Sequence, residues 1–137
     1  MQNIKTLMIK FVQFINTADA QLADELISQD AKFYVPGQPE PMQGPSGYIA
    51  IISMMRGGFS DIQWELMDQI AEDEKIAARF VMRGTHDGTF FNVPPTGTSI
   101  VVQAMNFYLF ENGKIIEEYG QPDLLGLLMQ IGAMPKP

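Results

Sequence analysis

The hydrophobic period of the chain changes once, near Asp61, and that change restricts its fold more than any other feature. Before it, apolar residues recur every three or four positions. Ile4, Leu7, Met8, Phe11 and Ile15 share one face of a predicted helix. Thr17-Ala18-Asp19 offers a cap, and Leu22, Ala23, Leu26 and Ile27 mark a second, shorter helix. Ala31 to Val35 reads as a brief strand stopped by Pro36-Gly37, followed by a proline-rich loop. Pro45 suits the first turn of a third helix, with Tyr48, Ile51, Ile52 and Met55 on one side and Gly57-Gly58 at its end.

After Asp61 the period is two. Ile62, Trp64, Leu66 and Ile70 alternate with Gln63, Glu65 and Gln69, and Ile76, Ala78, Phe80 and Met82 with Arg79 and Arg83. Glu72-Asp73-Glu74 forms the turn between these strands. A Gly- and Pro-rich segment runs from Gly84 to Gly97. Ile100 to Phe110 is then apolar at both parities, as in a central strand covered on both faces. Asn112-Gly113 signals a tight hairpin into Ile115–Tyr119, and Leu124 to Ile131 is a last helix. Helices first and an antiparallel meander after predict an α+β fold, a single domain over 1–137. Its helices pack on one face of a curved antiparallel sheet of four long strands, and a short C-terminal helix closes one end of the cavity between them.

Composition removes whole classes of function. The 137 residues are 46% apolar and 18% charged, which is enough apolar surface for a packed core. A net charge of −7, with nine Lys and Arg spread singly, repels phosphate backbones, so nucleic acid is not an expected partner. With no cysteine and one histidine there is no disulfide frame, no thiol nucleophile and no expected metal site. The start, Met1-Gln2-Asn3-Ile4-Lys5, lacks a basic region, and no apolar run reaches the roughly 18 residues of a membrane span. A cytoplasmic protein with no membrane partner is the expectation. Nucleophile elbow, phosphate loop and dinucleotide fingerprint are all missing. Cofactor-free proton transfer in an apolar pocket remains, or plain binding of a small hydrophobic ligand.

The candidate residues are few. Counting by twos from Ile76 puts His86, the sole histidine, on the core side if no bulge intervenes; it is either a pocket acid–base group or a loop histidine bonded to a neighbour. Asp123, after Pro122 and before Leu124-Leu125, is a natural helix N-cap that can also face a cavity. Asp68 shares the parity of Trp64 and Leu66 and would point inward unless a bulge turns it out. Trp64, Tyr34, Tyr108, Tyr119, Asn106 and Gln103 are polar-tipped groups able to line a pocket.

Arg83-Gly-Thr-His-Asp-Gly-Thr-Phe90, Pro94-Pro-Thr-Gly97, Glu111-Asn-Gly-Lys-Ile115 and the segment from Asp123 to Gly132 resemble the SnoaL-like polyketide cyclases, of the nuclear transport factor two-like superfold. The resemblance is specific from about Ile76 to Gly132. It implies a cone-shaped α+β barrel with a deep cavity, and ring closure by intramolecular aldol condensation without metal or cofactor. It makes Asp123 the general acid/base and His86 the histidine of the family's Gly-Thr-His motif; on the aldol reading His86 and Tyr119 hold the enolate oxygen or orient the substrate. Where the family often carries His-Trp before the aspartate, this chain has Glu118-Tyr119.

Parity also bears on assembly. Val101, Met105, Phe107 and Leu109 share one face of the central strand, and Ile100, Val102, Ala104 and Phe110 the other. One set fills the core, and the other would leave an apolar patch that soluble monomers rarely expose. A homodimer through the convex face is therefore expected, with Arg79 and Arg83 near it and Glu65 or Glu117 as their partners. The alternative is a monomer whose outer face the 84–97 loop covers.

Overall fold

A computed structural model describes residues 3–135. Helix α1 (Ile4–Thr17) starts at Asn3, whose side chain accepts from the Lys5 amide, and buries Leu7, Met8, Phe11, Phe14 and Ile15. Asp19 caps α2 (Ala20–Leu26) by accepting from the Gln21 and Leu22 amides. The chain turns directly into β1 (Ile27–Tyr34), so the strand is longer than the brief one expected and Ile27 belongs to it rather than to the helix. A two-residue β2 (Met42–Gln43) leads into α3 (Gly44–Gly58), with Pro45 in its first turn. Then come β3 (Gln63–Glu72), β4 (Lys75–Thr85), β5 (Ser99–Glu111), β6 (Lys114–Tyr119) and α4 (Leu124–Gln130).

The strands form one curved sheet in the order β2-β1-β6-β5-β4-β3. The four long strands form the expected meander, and β1 adds a parallel pairing with β6. The sheet does not close: β2 and β3 are its two edges, so the architecture is an open, curved α+β layer rather than a sealed barrel. β-Branched and aromatic residues on the inner parity hold the helices. Ile76, Phe80, Tyr108, Phe110 and Ile115 pack with Phe11 and Phe14 of α1. Phe59, Ile62, Met82, Phe90, Ile100 and Val102 form a second cluster with Leu127 and Ile131.

Two bulges overturn the simple count by twos. In β3 the register with β4 slips between Leu66 and Asp68, leaving Met67 as the extra residue. Trp64 and Leu66 pack inward, whereas the bulge turns Asp68 out to solvent, the alternative to its inward parity, and Ile70, expected inside, is 70% exposed. In β6 the register with β5 slips past Ile116, so Ile115 and Glu118 both face inward and Glu118 lies opposite Tyr108.

The even parity of β5 is the inner one. Its odd parity leaves Val101 54% and Met105 64% exposed, so the 84–97 loop does not cover that face. On the same outer surface Arg83 pairs with Glu65 at 3.0 Å within the chain. The loop instead folds over the end of α3. Asp87 and Gly88 both donate from their amides to the Gly58 carbonyl, and the Asp87 carboxylate accepts from the Ser60 amide and hydroxyl. A Cβ on Gly88 would collide with the Gly57 carbonyl oxygen, which is backbone and cannot move aside. Gly88→Ala is accordingly expected to cost about 1–3 kcal/mol in urea unfolding, as overpacking does. An unchanged midpoint would show that the loop is not held this way.

Candidate functional site

A cavity of about 310 Å³ opens where the two apolar clusters meet. Helix α3 supplies Tyr48, Ile51, Ile52 and Met55, and the sheet supplies Trp64, Met82 and Ala104. Leu124, Leu127 and Leu128 of α4 close one side, as expected for the last helix, and Phe90 and Phe91 come from the loop after β4. The polar groups are concentrated at Asn106 and Glu118, and Glu118 is the sole charged residue in the lining among the described residues.

Hydrogen bonds give this polar end a fixed direction. The Gln121 amide donates to Asn106 Oδ1 at 3.0 Å, which points Asn106 Nδ2 the other way, and Nδ2 donates to the Tyr108 hydroxyl at 3.1 Å. Having accepted that bond, Tyr108 gives its own proton to Glu118, and Tyr48 donates to Glu118 Oε2 at 3.1 Å. Asn106 keeps a second N–H with no part in this chain. The rings are wedged in place: Tyr48 meets Phe33 edge-on at 4.6 Å and Phe11 at 5.1 Å, and Phe11 meets Tyr108 at 5.6 Å.

Burial dominates the ionisation of Glu118. Its carboxyl, 3% exposed, loses the hydration that favours the charged form, and the two phenol donors recover part of it. Its pKa is pushed up to about 7. Burial and the adjacent carboxylate likewise push the Tyr48 and Tyr108 hydroxyls well above the usual phenol range, so both remain donors.

The other candidates take different places. Trp64 lines the cavity, its amide and carbonyl clamped by Asn16 at 2.7 and 2.9 Å. His86 is fully buried, as the parity count required, but behind Phe59 and outside the lining. Its backbone extends the β4–β5 ladder by bonding Thr98 and Gly97, and Nδ1 accepts from the Thr96 amide at 3.3 Å and contacts the Thr96 hydroxyl at 2.8 Å. Nε2 is buried and has no partner among the described residues. Asp123 caps α4, accepting from the Gly126 amide at 2.9 Å, and is solvent-exposed between two lining residues, Pro122 and Leu124. Tyr34 and Tyr119 stack on each other at 4.9 Å on the outer face, and Gln103 lies on the outer parity of β5. Asp68 is outside the cavity. Among the described residues no three His, Cys, Asp or Glu side chains gather in a metal-holding group, and no helix is long and apolar enough to cross a membrane.

Glu118 is the residue that sequence reasoning passed over as a site. Its signal was faint: a second acidic residue in Glu117-Glu118, one of which had to face inward. Its raised pKa makes a stability prediction. Between its ordinary value of 4.5 and about 7 the folded chain keeps a proton that the unfolded chain has shed. This contribution to stability is thus greatest below pH 4.5, falls as pH rises through that window and levels above about 7. Glu118→Gln should abolish that fall, worth at most about 1.4 kcal/mol per pH unit, in thermal unfolding followed across the window. Parallel stability–pH curves for the two proteins would refute the burial argument.

The sequence and the fold have known counterparts. Aklanonic acid methyl ester cyclase DauD from Streptomyces sp. (strain C5) is 24% identical over 132 residues, covering 92% of this chain and 80% of its own. The aklanonic acid methyl ester cyclase DnrD from Streptomyces peucetius is also 24% identical over 132 residues, with 92% and 88% covered. The crystal structure of IdmH from Streptomyces antibioticus, assigned to the polyketide cyclases, superposes with a TM-score of 0.86 at 26% identity, over 96% of this chain and 99% of that one. TsrD from Streptomyces laurentii superposes with a TM-score of 0.83 at 26% identity, over 96% of each chain. The SnoaL-like polyketide cyclase family matches residues 5–131, and the chain belongs to that family.

Proposed function

We propose that this chain is a cofactor-free acid–base enzyme that closes a ring in a hydrophobic, carbonyl-bearing small molecule by intramolecular aldol chemistry. The observation that carries the reading is an apolar cavity of about 310 Å³ with one buried carboxyl and one spare amide donor at its polar end. An aldol closure needs a base for a C–H flanked by carbonyls, a donor for the developing enolate oxygen and walls that hold the chain folded on itself. Met55, Met82 and Leu128 supply adaptable apolar walls, and Trp64 a flat one.

Asp123 is the group assigned to carbon deprotonation. It stands at the family's acid/base position, and its carboxylate is solvent-accessible beside Pro122 and Leu124. Asn106 is assigned to the enolate oxygen and Tyr108 to supporting Asn106 from behind. To His86 falls the holding of the loop that carries Phe90 over the cavity, through Thr96. The uncovered outer face, with Met105 and Phe107 beside the Tyr34–Tyr119 stack, is assigned to a second copy of the chain. A cytoplasmic setting fits the cysteine-free sequence.

Aklanonic acid methyl ester, named for two relatives, gives the first assay. Wild-type protein is expected to close its ring or that of a related β-keto ester. Asp123→Asn is expected to slow turnover by about 100-fold or more, the usual contribution of a positioned acid–base group, while leaving the affinity for the ester nearly intact. If such esters bind in the cavity and raise the unfolding temperature but none ever turns over, the protein is a non-catalytic ligand binder.

A further inference from the structure

We propose that Glu118 is a second catalytic residue, the general acid that protonates the carbonyl oxygen under attack, and that Tyr48 and Tyr108 position it. This rests on the aldol reading above and assigns the acid half of it to a group inside the cavity.

Three features of the geometry carry the inference. First, the Ile116 bulge turns a carboxyl into a cavity whose lining, among the described residues, holds no Lys, Arg or His to balance it. An apolar site without a counter-ion accommodates a protonated carboxyl far better than an ionised one. Second, the groups facing Glu118 are all donors or apolar. Tyr48 comes from α3 and Tyr108 from β5, while β1 pairs Phe33 with it and α1 packs Phe11 on both phenol rings. A purely structural carboxylate would be expected to use its acceptors up. Here two phenol protons leave further oxygen lone pairs free, and Oε1 lies 3.8 Å from where a Cβ on Gly120 would stand, a place the glycine leaves open. Third, the free N–H of Asn106 belongs to the same network, so one carbonyl oxygen can meet a neutral donor and another an acid. The raised ionisation midpoint of Glu118 fits this role, since an acid working near neutral pH must still hold its proton there.

The proton inventory closes. Asp123 takes the proton from carbon, and the electron pair of the C–H bond moves into an enolate whose oxygen is held by the Asn106 N–H. The enolate carbon attacks a second carbonyl and a C–C bond forms. As the π pair of that carbonyl moves onto oxygen, Glu118 delivers its proton there, giving a hydroxyl and leaving a carboxylate between Tyr48 and Tyr108. Asp123 loses its proton to solvent and Glu118 regains one, restoring both groups with no oxidant or reductant.

Ring closure of 2-(3-oxobutyl)cyclohexanone, a hydrophobic diketone whose methyl-ketone enolate can attack its ring carbonyl, isolates the step from the unknown natural substrate. Saturation of the cavity is followed by the fluorescence of Trp64, the one tryptophan of the chain, which lines it. Wild-type protein should speed closure, with a rate that declines as pH rises past about 7 and Glu118 ionises. Glu118→Gln should lose about 100-fold of the acceleration together with that pH step, and Glu117→Gln, altered at the neighbouring carboxylate, should match wild type. Tyr48→Phe removes a donor that stabilises the ionised form, so its pH step should move upward, a change that mere loss of packing would not produce. Wild-type closure rates and pH profile in Glu118→Gln would overturn the inference and leave the aldol reading standing. A saturated wild-type protein that closes the ring no faster than buffer would overturn the aldol reading and the acid role with it.

Discussion

One unpaired residue in the last strand decides which side chain reaches the polar end of the cavity. Ile116 has no partner on β5, and the slip it introduces lets Ile115 and Glu118 face the same side. Without the bulge, Glu117 would follow Ile115 inward and Glu118 would point to solvent beside Lys32 and Lys114. The bulge brings the carboxyl instead to the face of Tyr108, within 3.1 Å of the Tyr48 hydroxyl. Desolvating a carboxyl is costly, and the fold meets that cost with two phenol donors and a proton retained near neutral pH. The aromatic wedge of Phe11, Phe33 and the two tyrosines then serves packing and chemistry together.

Much of this architecture was legible in the sequence because hydrophobic period survives in tertiary structure wherever the backbone is regular. The stripe from Ile4 to Ile15 became α1, the inner parity from Ile76 to Met82 became core, and that parity correctly carried His86 into the interior. The doubly apolar run from Ile100 to Phe110 could not reveal which face was inner. The even set proved to be, because Asn106 and Tyr108 sit on it opposite Glu118. What periodicity could not carry was any place where one residue was inserted. Ile70 was misplaced, and the parity of Asp68 left open, for the same reason that Glu118 was overlooked: a bulge inverts every side chain beyond it, and neither Met67 nor Ile116 announces one. The parallel pairing of β1 with β6 and the open edges of the sheet depend on contacts far apart in sequence, which local pattern does not encode.

The motif-bearing residues divide between two tasks. His86 lies where the family pattern carries its histidine, yet its surroundings are Phe59, Thr96 and the loop backbone, so its visible work is to fasten the 84–98 segment. Asp123 caps α4 at the rim, and a Cβ on Gly126 would strike its carboxylate, so that glycine keeps the cap free. The family's His-Trp pair is replaced by Glu118-Tyr119, which divides across the sheet: the glutamate faces the cavity and the tyrosine stacks outside on Tyr34. A carboxyl at this place can exist neutral or negative, never positive.

The ionisation of Glu118 is where this account is most exposed, and carbon-detected NMR of side-chain-labelled glutamate reads it directly. One carboxyl resonance, absent from Glu118→Gln, should titrate with a midpoint of about 7, well above those of the exposed glutamates. A full set of midpoints near the ordinary 4.5 would mean that Glu118 is hydrated or paired, and that the buried acid at the centre of this structure does not exist.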